Sequence, residues 1–140
     1  MIIGFTSGAY DVFHIGHLNI FKRAKEMCDY LIVGVNTDEF ILRYKNKTPV
    51  IPFEERIAIV SAIKYVDEVI PQDDEGKIDA WHKYKYKYLF GGSDWEGREI
   101  VSELNELLKP SGGRVVLFPY TQTTSSTLLT ELIRKQVGKL

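Results

Sequence analysis

Two histidines flank a glycine near the amino terminus of this 140-residue chain. His14 and His17 are three positions apart, so they lie on one side of a helical turn, and Gly16 between them has no side chain to keep a ligand away. An imidazole nitrogen of each can donate to oxygens of the same phosphate. Gly8 permits a tight backbone turn just before them. We therefore expect a triphosphate to bind here, at the free N–H groups of a helix that begins near Gly16.

Two alternatives remain for the histidines: a purely structural pair, or a metal site. The sequence offers few further metal ligands, because the only other histidine is His82 and the only cysteine, Cys28, falls within a predicted helix. The pair beside a glycine at a strand-to-helix turn favours phosphate binding.

A basic loop occupies positions 43–49, with Arg43, Lys45 and Lys47 within five residues. Such a loop can close over a triphosphate and stabilise negative charge on its α-phosphate. The alternative is a solvated basic loop without a ligand.

The segment from Phe90 to Gly97 combines glycines with an aromatic and an acidic residue. Gly92 permits close approach of a nucleoside, Trp95 offers a stacking face, and Asp94 can accept from an amine or a ribose hydroxyl. A structural turn with a half-buried tryptophan would give the same pattern.

Hydroxyl side chains precede the last predicted helix. Ser125, Ser126 and Thr127, together with the N–H groups of that helix, suit a phosphate. The alternative is a simple helix cap.

The elements that would position these residues alternate along the chain. Five short apolar runs predict strands: Met1–Phe5, Tyr30–Val35, Glu68–Ile70, Tyr88–Phe90 and Arg114–Phe118. Helical patterns lie between them, including Glu99–Leu108 and a last helix from about Ser126 with Leu128, Leu129, Leu132 and Ile133 as its buried stripe. This alternation predicts an α/β fold: one Rossmann-like, doubly wound domain spanning residues 1–140, with a mainly parallel five-stranded sheet. Ligands of such sheets bind beyond the carboxyl ends of the strands.

Composition excludes several classes of protein. Apolar residues make up 44% and charged residues 26%, which is typical of a globular chain, and the net charge of −1 disfavours nucleic acid as a partner. One cysteine permits no intrachain disulfide, and no apolar run approaches the roughly 20 residues that cross a bilayer. Met1–Phe5 lacks the features of a signal peptide. We therefore expect a cytoplasmic protein without a membrane partner.

The stretch Gly8–His17 resembles the G-x-F-D-x-x-H-x-G-H signature of the cytidylyltransferase-like nucleotidyltransferases. This resemblance implies that Ala9, Tyr10, Asp11 and Phe13 also belong to the nucleotide site. Tyr10 replaces the usual phenylalanine. Ala9 stands where threonine is common, so a backbone N–H would have to replace that hydroxyl.

Further matches extend the resemblance over nearly the whole chain, most closely to the bacterial glycerol-3-phosphate cytidylyltransferases. The family implies an essential lysine in the basic loop, for which Lys45 and Lys47 compete, and an active-site arginine at Arg56. The Asp-Trp-Glu-Gly match at 94–97 favours CTP over ATP.

The motif before the last helix departs from the family pattern Arg-Thr-x-Gly-Ile-Ser-Thr-Thr. Thr121 is retained as a candidate nucleotide contact, but the arginine has become Tyr120 and the glycine Thr123. A charged contact is therefore missing or is supplied elsewhere.

The resemblance implies transfer of CMP from CTP to a phosphorylated small alcohol, such as glycerol 3-phosphate, with release of pyrophosphate. It implies Mg²⁺ with the triphosphate, with Asp11 as the best candidate ligand, and a homodimer. The alternatives are an adenylyltransferase acting on another phosphorylated molecule and a non-catalytic nucleotide sensor.

Overall fold

A computed structural model describes residues 1–73, 76–119 and 125–138. Its single sheet has five strands: β1 (Ile3–Gly8), β2 (Tyr30–Asn36), β3 (Glu68–Gln72), β4 (Tyr88–Gly92) and β5 (Arg114–Phe118). All neighbours pair in parallel, in the order β3-β2-β1-β4-β5. The predicted α/β fold is confirmed. The order reverses between β1 and β4, which opens a crevice at the carboxyl ends of these two strands.

Helices connect the strands. They are α1 (Ile15–Met27), α2 (Asp38–Lys45), α3 (Phe53–Ser61), α4 (Lys77–Tyr84), α5 (Glu99–Leu108) and α6 (Ser126–Gly138). Single 3₁₀ turns follow β4 at Ser93–Trp95 and precede β5 at Lys109–Ser111. In the part of the chain that the structure describes, no helix has the length and apolar character needed to cross a membrane.

Two hydrophobic clusters cover the two faces of the sheet. Successive residues of β2 point to opposite faces, so Leu31 and Val33 join one cluster while Ile32 joins the other. Phe21 of α1 packs in the first cluster, and Leu104 of α5 packs in the second. Because both faces are covered, the strands are apolar along nearly their whole length, as the sequence predicted.

Four strands reach further toward the site than predicted: β2 ends at Asn36 and β3 at Gln72, and the extensions of β1 and β4 place glycines at the site. β1 ends at Gly8, which pairs with Val35, and β4 ends at Gly92, which pairs with Phe118. Backbone pairing with the neighbouring strands holds these glycines in strands rather than in turns. Gly91 has a packing role, because a Cβ atom there would lie 2.6 Å from the Trp95 ring.

The prediction of a buried apolar stripe on α6 was wrong. Leu128, Leu132 and Ile133 are 43%, 48% and 45% exposed. The first turn of α6 joins the rest of the domain through Ser126, whose Oγ donates to the carbonyl oxygen of Asp11 at 2.7 Å. The α6 residues that line a cavity against the rest of the domain are polar and begin with Ser126 and Thr127.

Candidate active site

His14 and His17 form a reciprocal cap at the start of α1. His14 Nδ1 accepts from the Gly16 N–H at 3.0 Å, and His17 Nδ1 accepts from the His14 N–H at 3.2 Å. Their rings lie 4.0 Å apart between centroids. Because each Nδ1 accepts, each neutral ring carries its proton on Nε2. The cap therefore sets both imidazoles as donors.

Aromatic side chains hold the His17 ring in place. Tyr10 contacts it edge-on at 5.4 Å between centroids, Phe13 lies at 5.2 Å, and both also pack against Phe21. Tyr10 is buried, which raises the pKa of its hydroxyl. Tyr10 and Val12 both have positive φ, a conformation that side chains with a Cβ disfavour. Tyr10 and Phe13, predicted as nucleotide contacts, thus support the His17 ring, and Tyr10 also lines a cavity described below.

The first cavity, of about 430 Å³, opens above the amino end of α1. Its lining residues are His14, Gly16, His17, Asn19, Ile20, Arg23, Gly92, Phe118, Pro119, Ser125, Ser126 and Thr127. Seven of these were predicted as site residues. Arg23 and Phe118 were not predicted, and they adjoin one another, with the guanidinium carbon 5.9 Å from the ring centroid.

The second cavity, of about 350 Å³, lies between the basic loop and α6. Its lining residues are Ala9, Tyr10, Asp11, His17, Ile41, Lys45, Lys47, Thr48, Pro49, Val50, Ser126, Thr127, Thr130, Glu131 and Arg134. Both predicted lysines face it. The structure thus brings together the β1 loop, the basic loop and the last helix.

The third cavity, of about 200 Å³, lies beyond the carboxyl ends of β1 and β2. Its lining residues are Ser7, Gly8, Ala9, Asn36, Phe40, Tyr44, Lys45, Lys77, Asp94, Trp95 and Arg98. Lys77 Nζ lies 4.8 Å from the centroid of the Trp95 ring. Asp94 and Trp95, predicted beside the nucleoside, therefore line a different cavity from Gly92.

The three cavities share walls. His17, Ser126 and Thr127 line both the first and the second, whereas Ala9 and Lys45 line both the second and the third. Partial burial and the nearby Lys47 lower the pKa of the Lys45 ammonium. We call the wall at Lys45, between the second and third cavities, the junction. A negatively charged group at this junction would relieve the repulsion between Lys45 and Lys47.

Arg56 is the buried hub beneath the site, at 1% exposed. Its guanidinium donates to the carbonyl oxygens of Ala9 at 2.6 Å, Asn36 at 2.7 Å and Ile51 at 2.8 Å. It also donates to Asp38 Oδ1 at 2.6 Å. These bonds join the loop after β1, the end of β2, the start of α2 and the approach to α3. Arg56 lies near the site, as predicted, but its role is to position backbone.

Asp11 also holds backbone. Its Oδ2 accepts from the Val50 N–H and its Oδ1 from the Ile51 N–H, both at 2.9 Å. Within the described ranges, no group of three His, Cys, Asp or Glu side chains is placed to hold a metal ion.

The sequence signals for the remaining lining residues were weaker. Lys77 is the first residue of α4 and Arg98 directly precedes α5, and neither belongs to a motif. Arg134 lies well inside α6. Only the fold brings them to the cavities. Thr121, Tyr120 and Thr123 lie outside the described residues.

We expect Arg56→Lys to lower the free energy of unfolding by about 2–4 kcal/mol, because an ammonium cannot replace four hydrogen bonds from a planar buried guanidinium. Chemical denaturation would measure it. Arg43→Lys is the control: Arg43 is exposed and bonds one carbonyl, that of Asp73. If Arg56→Lys lowers the free energy of unfolding by no more than the control does, the structural role assigned to Arg56 is wrong.

We expect the protein to become less stable as the pH falls, because His17 is harder to protonate in the folded chain than in the unfolded chain. Burial, aided by His14, lowers its pKa from 6.5 to about 4, so the unfolded chain binds the proton more tightly. This contribution is complete above the unfolded pKa and is lost as the pH falls toward the folded value. His17→Asn keeps an acceptor without titrating. Denaturation between about pH 6.5 and about pH 4 should give a shallower slope for the variant, and equal slopes would refute the assignment.

Comparisons with known proteins agree with this geometry. The cytidylyltransferase-like family model matches residues 5–135. Glycerol-3-phosphate cytidylyltransferase of Bacillus subtilis is 37% identical over 130 residues, which cover 91% of this chain and 94% of that protein. The bifunctional protein HldE of Hyphomonas neptunium is 32% identical over 138 residues. That alignment covers 98% of this chain but only 28% of HldE, so the chain spans about a quarter of the length of this relative.

A solved structure has the same fold. The lipopolysaccharide core biosynthesis protein of Thermoplasma volcanium is 26% identical, with a TM-score of 0.69, and the match covers 89% of this chain and 99% of that one. The family match begins within β1, covers the other four strands in full and includes both histidines of the α1 cap. The chain therefore belongs to the cytidylyltransferase-like family of nucleotidyltransferases.

Proposed function

We propose that this protein transfers CMP from CTP to a phosphorylated small alcohol and releases pyrophosphate. The observation that carries the proposal is a series of shared walls: His17 lines the first and second cavities, and Lys45 lines the second and third. A reaction that joins a nucleotide to an acceptor and expels a third group needs adjoining places for these three groups. Glycerol 3-phosphate is the leading acceptor because the Bacillus subtilis relative bears the name glycerol-3-phosphate cytidylyltransferase.

The first cavity suits the nucleoside. Phe118 and Pro119 provide an apolar wall, and Gly92 leaves space beside it. Arg23 beside Phe118 provides donors, which match the O2 and N3 acceptors of cytosine. The amino end of α1 then faces the phosphates.

The third cavity suits the acceptor. Lys45, Lys77 and Arg98 place three cationic side chains around it, as a phosphate monoester requires. Asp94 can accept from an alcohol hydroxyl of the same molecule. An acceptor phosphate in this cavity adjoins the junction at Lys45.

The transfer takes place at this junction. An oxygen of the acceptor phosphate attacks the α-phosphorus of CTP, a new P–O bond forms, and the bond from that phosphorus to the bridging oxygen of the β-phosphate breaks. The electron pair leaves with pyrophosphate. The attacking phosphate is already an anion at neutral pH, so the protein positions it and stabilises charge rather than removing a proton.

The two histidines and Lys45 carry that stabilisation. With Nδ1 engaged in the cap, Nε2–H of His17 and His14 can donate to the α-phosphate oxygens. Lys47 and the amino end of α6, with Ser126 and Thr127, then face the remaining phosphates in the second cavity. Mg²⁺ would enter bound to those phosphates.

A homodimer is part of the proposal, by analogy with the family. Light scattering at micromolar concentration would test it, and a monomer would remove it.

The function is tested by pyrophosphate release with Mg²⁺, comparing CTP with ATP across a panel of phosphorylated alcohols. We expect release with CTP and with glycerol 3-phosphate or a related acceptor. Release with ATP alone would replace the proposal by an adenylyltransferase. CTP binding without turnover for any acceptor would favour a nucleotide sensor.

We expect His17→Ala to lower kcat by about 100-fold, the scale for loss of one preorganised donor. His82→Ala is the matched control, because His82 lies on α4 and lines none of the three cavities. Steady-state kinetics on both variants measures the difference. Near-normal turnover of His17→Ala would refute its role.

A further inference from the structure

Polar residues of α6 line the second cavity, whereas Leu128, Leu132 and Ile133 are exposed and Leu129 is half-buried. Thr127, Thr130, Glu131 and Arg134 all line the cavity, and their spacing of three, four and seven residues places them along one stripe of the helix. Leu128, Leu132 and Ile133 lie outside that stripe and are 43–48% exposed. A helix that turns its polar stripe toward a cavity indicates a polar ligand in that cavity.

Charge around the second cavity identifies the ligand as an anion. Lys45, Lys47 and Arg134 are its cations, and Asp11 and Glu131 are its carboxylates. Both oxygens of Asp11 already accept backbone N–H groups, which disperse the charge of that carboxylate without removing it. Three cations against two carboxylates, together with the amino end of α6, leave an excess of positive charge.

We propose that Arg134 binds the terminal phosphates of the nucleotide and stabilises the pyrophosphate that leaves. This inference rests on the proposed function and adds to it a residue with no sequence motif. Arg134 is the one arginine lining the second cavity within the described residues, and its planar fork suits two phosphate oxygens at once. It also supplies a cation in a chain whose family arginine before the last helix is replaced by Tyr120.

The position of Arg134 suits the leaving group rather than the nucleoside. It lines the second cavity but neither of the other two. As the bond between the α-phosphorus and the bridging oxygen breaks, negative charge accumulates on the β-phosphate. A guanidinium in the second cavity stabilises that charge, and it contributes nothing to a ligand that lacks the terminal phosphates.

The test compares three ligands on wild type, Arg134→Ala and a control. Lys135→Ala is the matched control, because it removes one charge from the next residue of α6, which lines none of the three cavities. Titration calorimetry measures the Kd of CTP, CMP and pyrophosphate, each with Mg²⁺. Circular dichroism checks that both variants remain folded.

We expect Arg134→Ala to raise the Kd of CTP and of pyrophosphate by about 10-fold or more, the scale of a charge-assisted hydrogen bond. The Kd of CMP should stay unchanged. Lys135→Ala should change each Kd by less than about twofold. Glu131→Gln, which removes the opposing charge, should tighten pyrophosphate binding.

Equal affinities of wild type and Arg134→Ala for CTP and pyrophosphate would overturn the inference, as would an equal loss for CMP and CTP. Failure of wild type to bind pyrophosphate would overturn it as well. The proposed function fails by a different result: no turnover by wild type with any nucleotide and acceptor. The affinities of wild type and Arg134→Ala for pyrophosphate test the role of Arg134 whether or not the protein has the proposed activity.

Discussion

The site depends on one buried cation. The guanidinium of Arg56 gathers the carbonyl oxygens of Ala9, Asn36 and Ile51 and the carboxylate of Asp38. Without the guanidinium, the three partly buried carbonyl oxygens would lose this partner, at a cost of about 1–3 kcal/mol each. Since Ala9 lines two of the three cavities, the same bonds set the position of the backbone that a phosphate would contact.

Around this hub, stability and chemistry use the same atoms. The Nδ1 atoms of His14 and His17 cap α1, and that engagement leaves both Nε2 protons available for a ligand. Asp11 accepts the Val50 and Ile51 N–H groups, so this acidic residue of the motif positions the backbone that follows the basic loop. The protein therefore presents a preorganised set of donors whose orientation is already fixed in the folded chain.

The cavities also explain why α6 is oriented against its hydrophobic pattern. The stripe containing Thr127 and Arg134 lines the second cavity, while Leu128 and Leu132 are exposed. Hydrophobic periodicity predicts which side of a helix is apolar, but it predicts the buried side only when the neighbouring surface is also apolar. Here the surface across the cavity from α6 carries Asp11, Lys45 and Lys47, which suits a polar stripe.

The sequence by itself determined the fold class, the strands and the histidine motif. Each of these is local: strands covered on both faces must be apolar throughout, and the cap at His14 and His17 needs only four consecutive residues. The tertiary structure alone decided that Arg56 serves backbone carbonyls, that Asp94 and Gly92 line different cavities, and that Arg134 joins Lys45 and Lys47. Each of these relations depends on residues far apart in the chain, since the walls of every cavity come from several elements, and no local pattern encodes how parallel strands and their crossover helices pack.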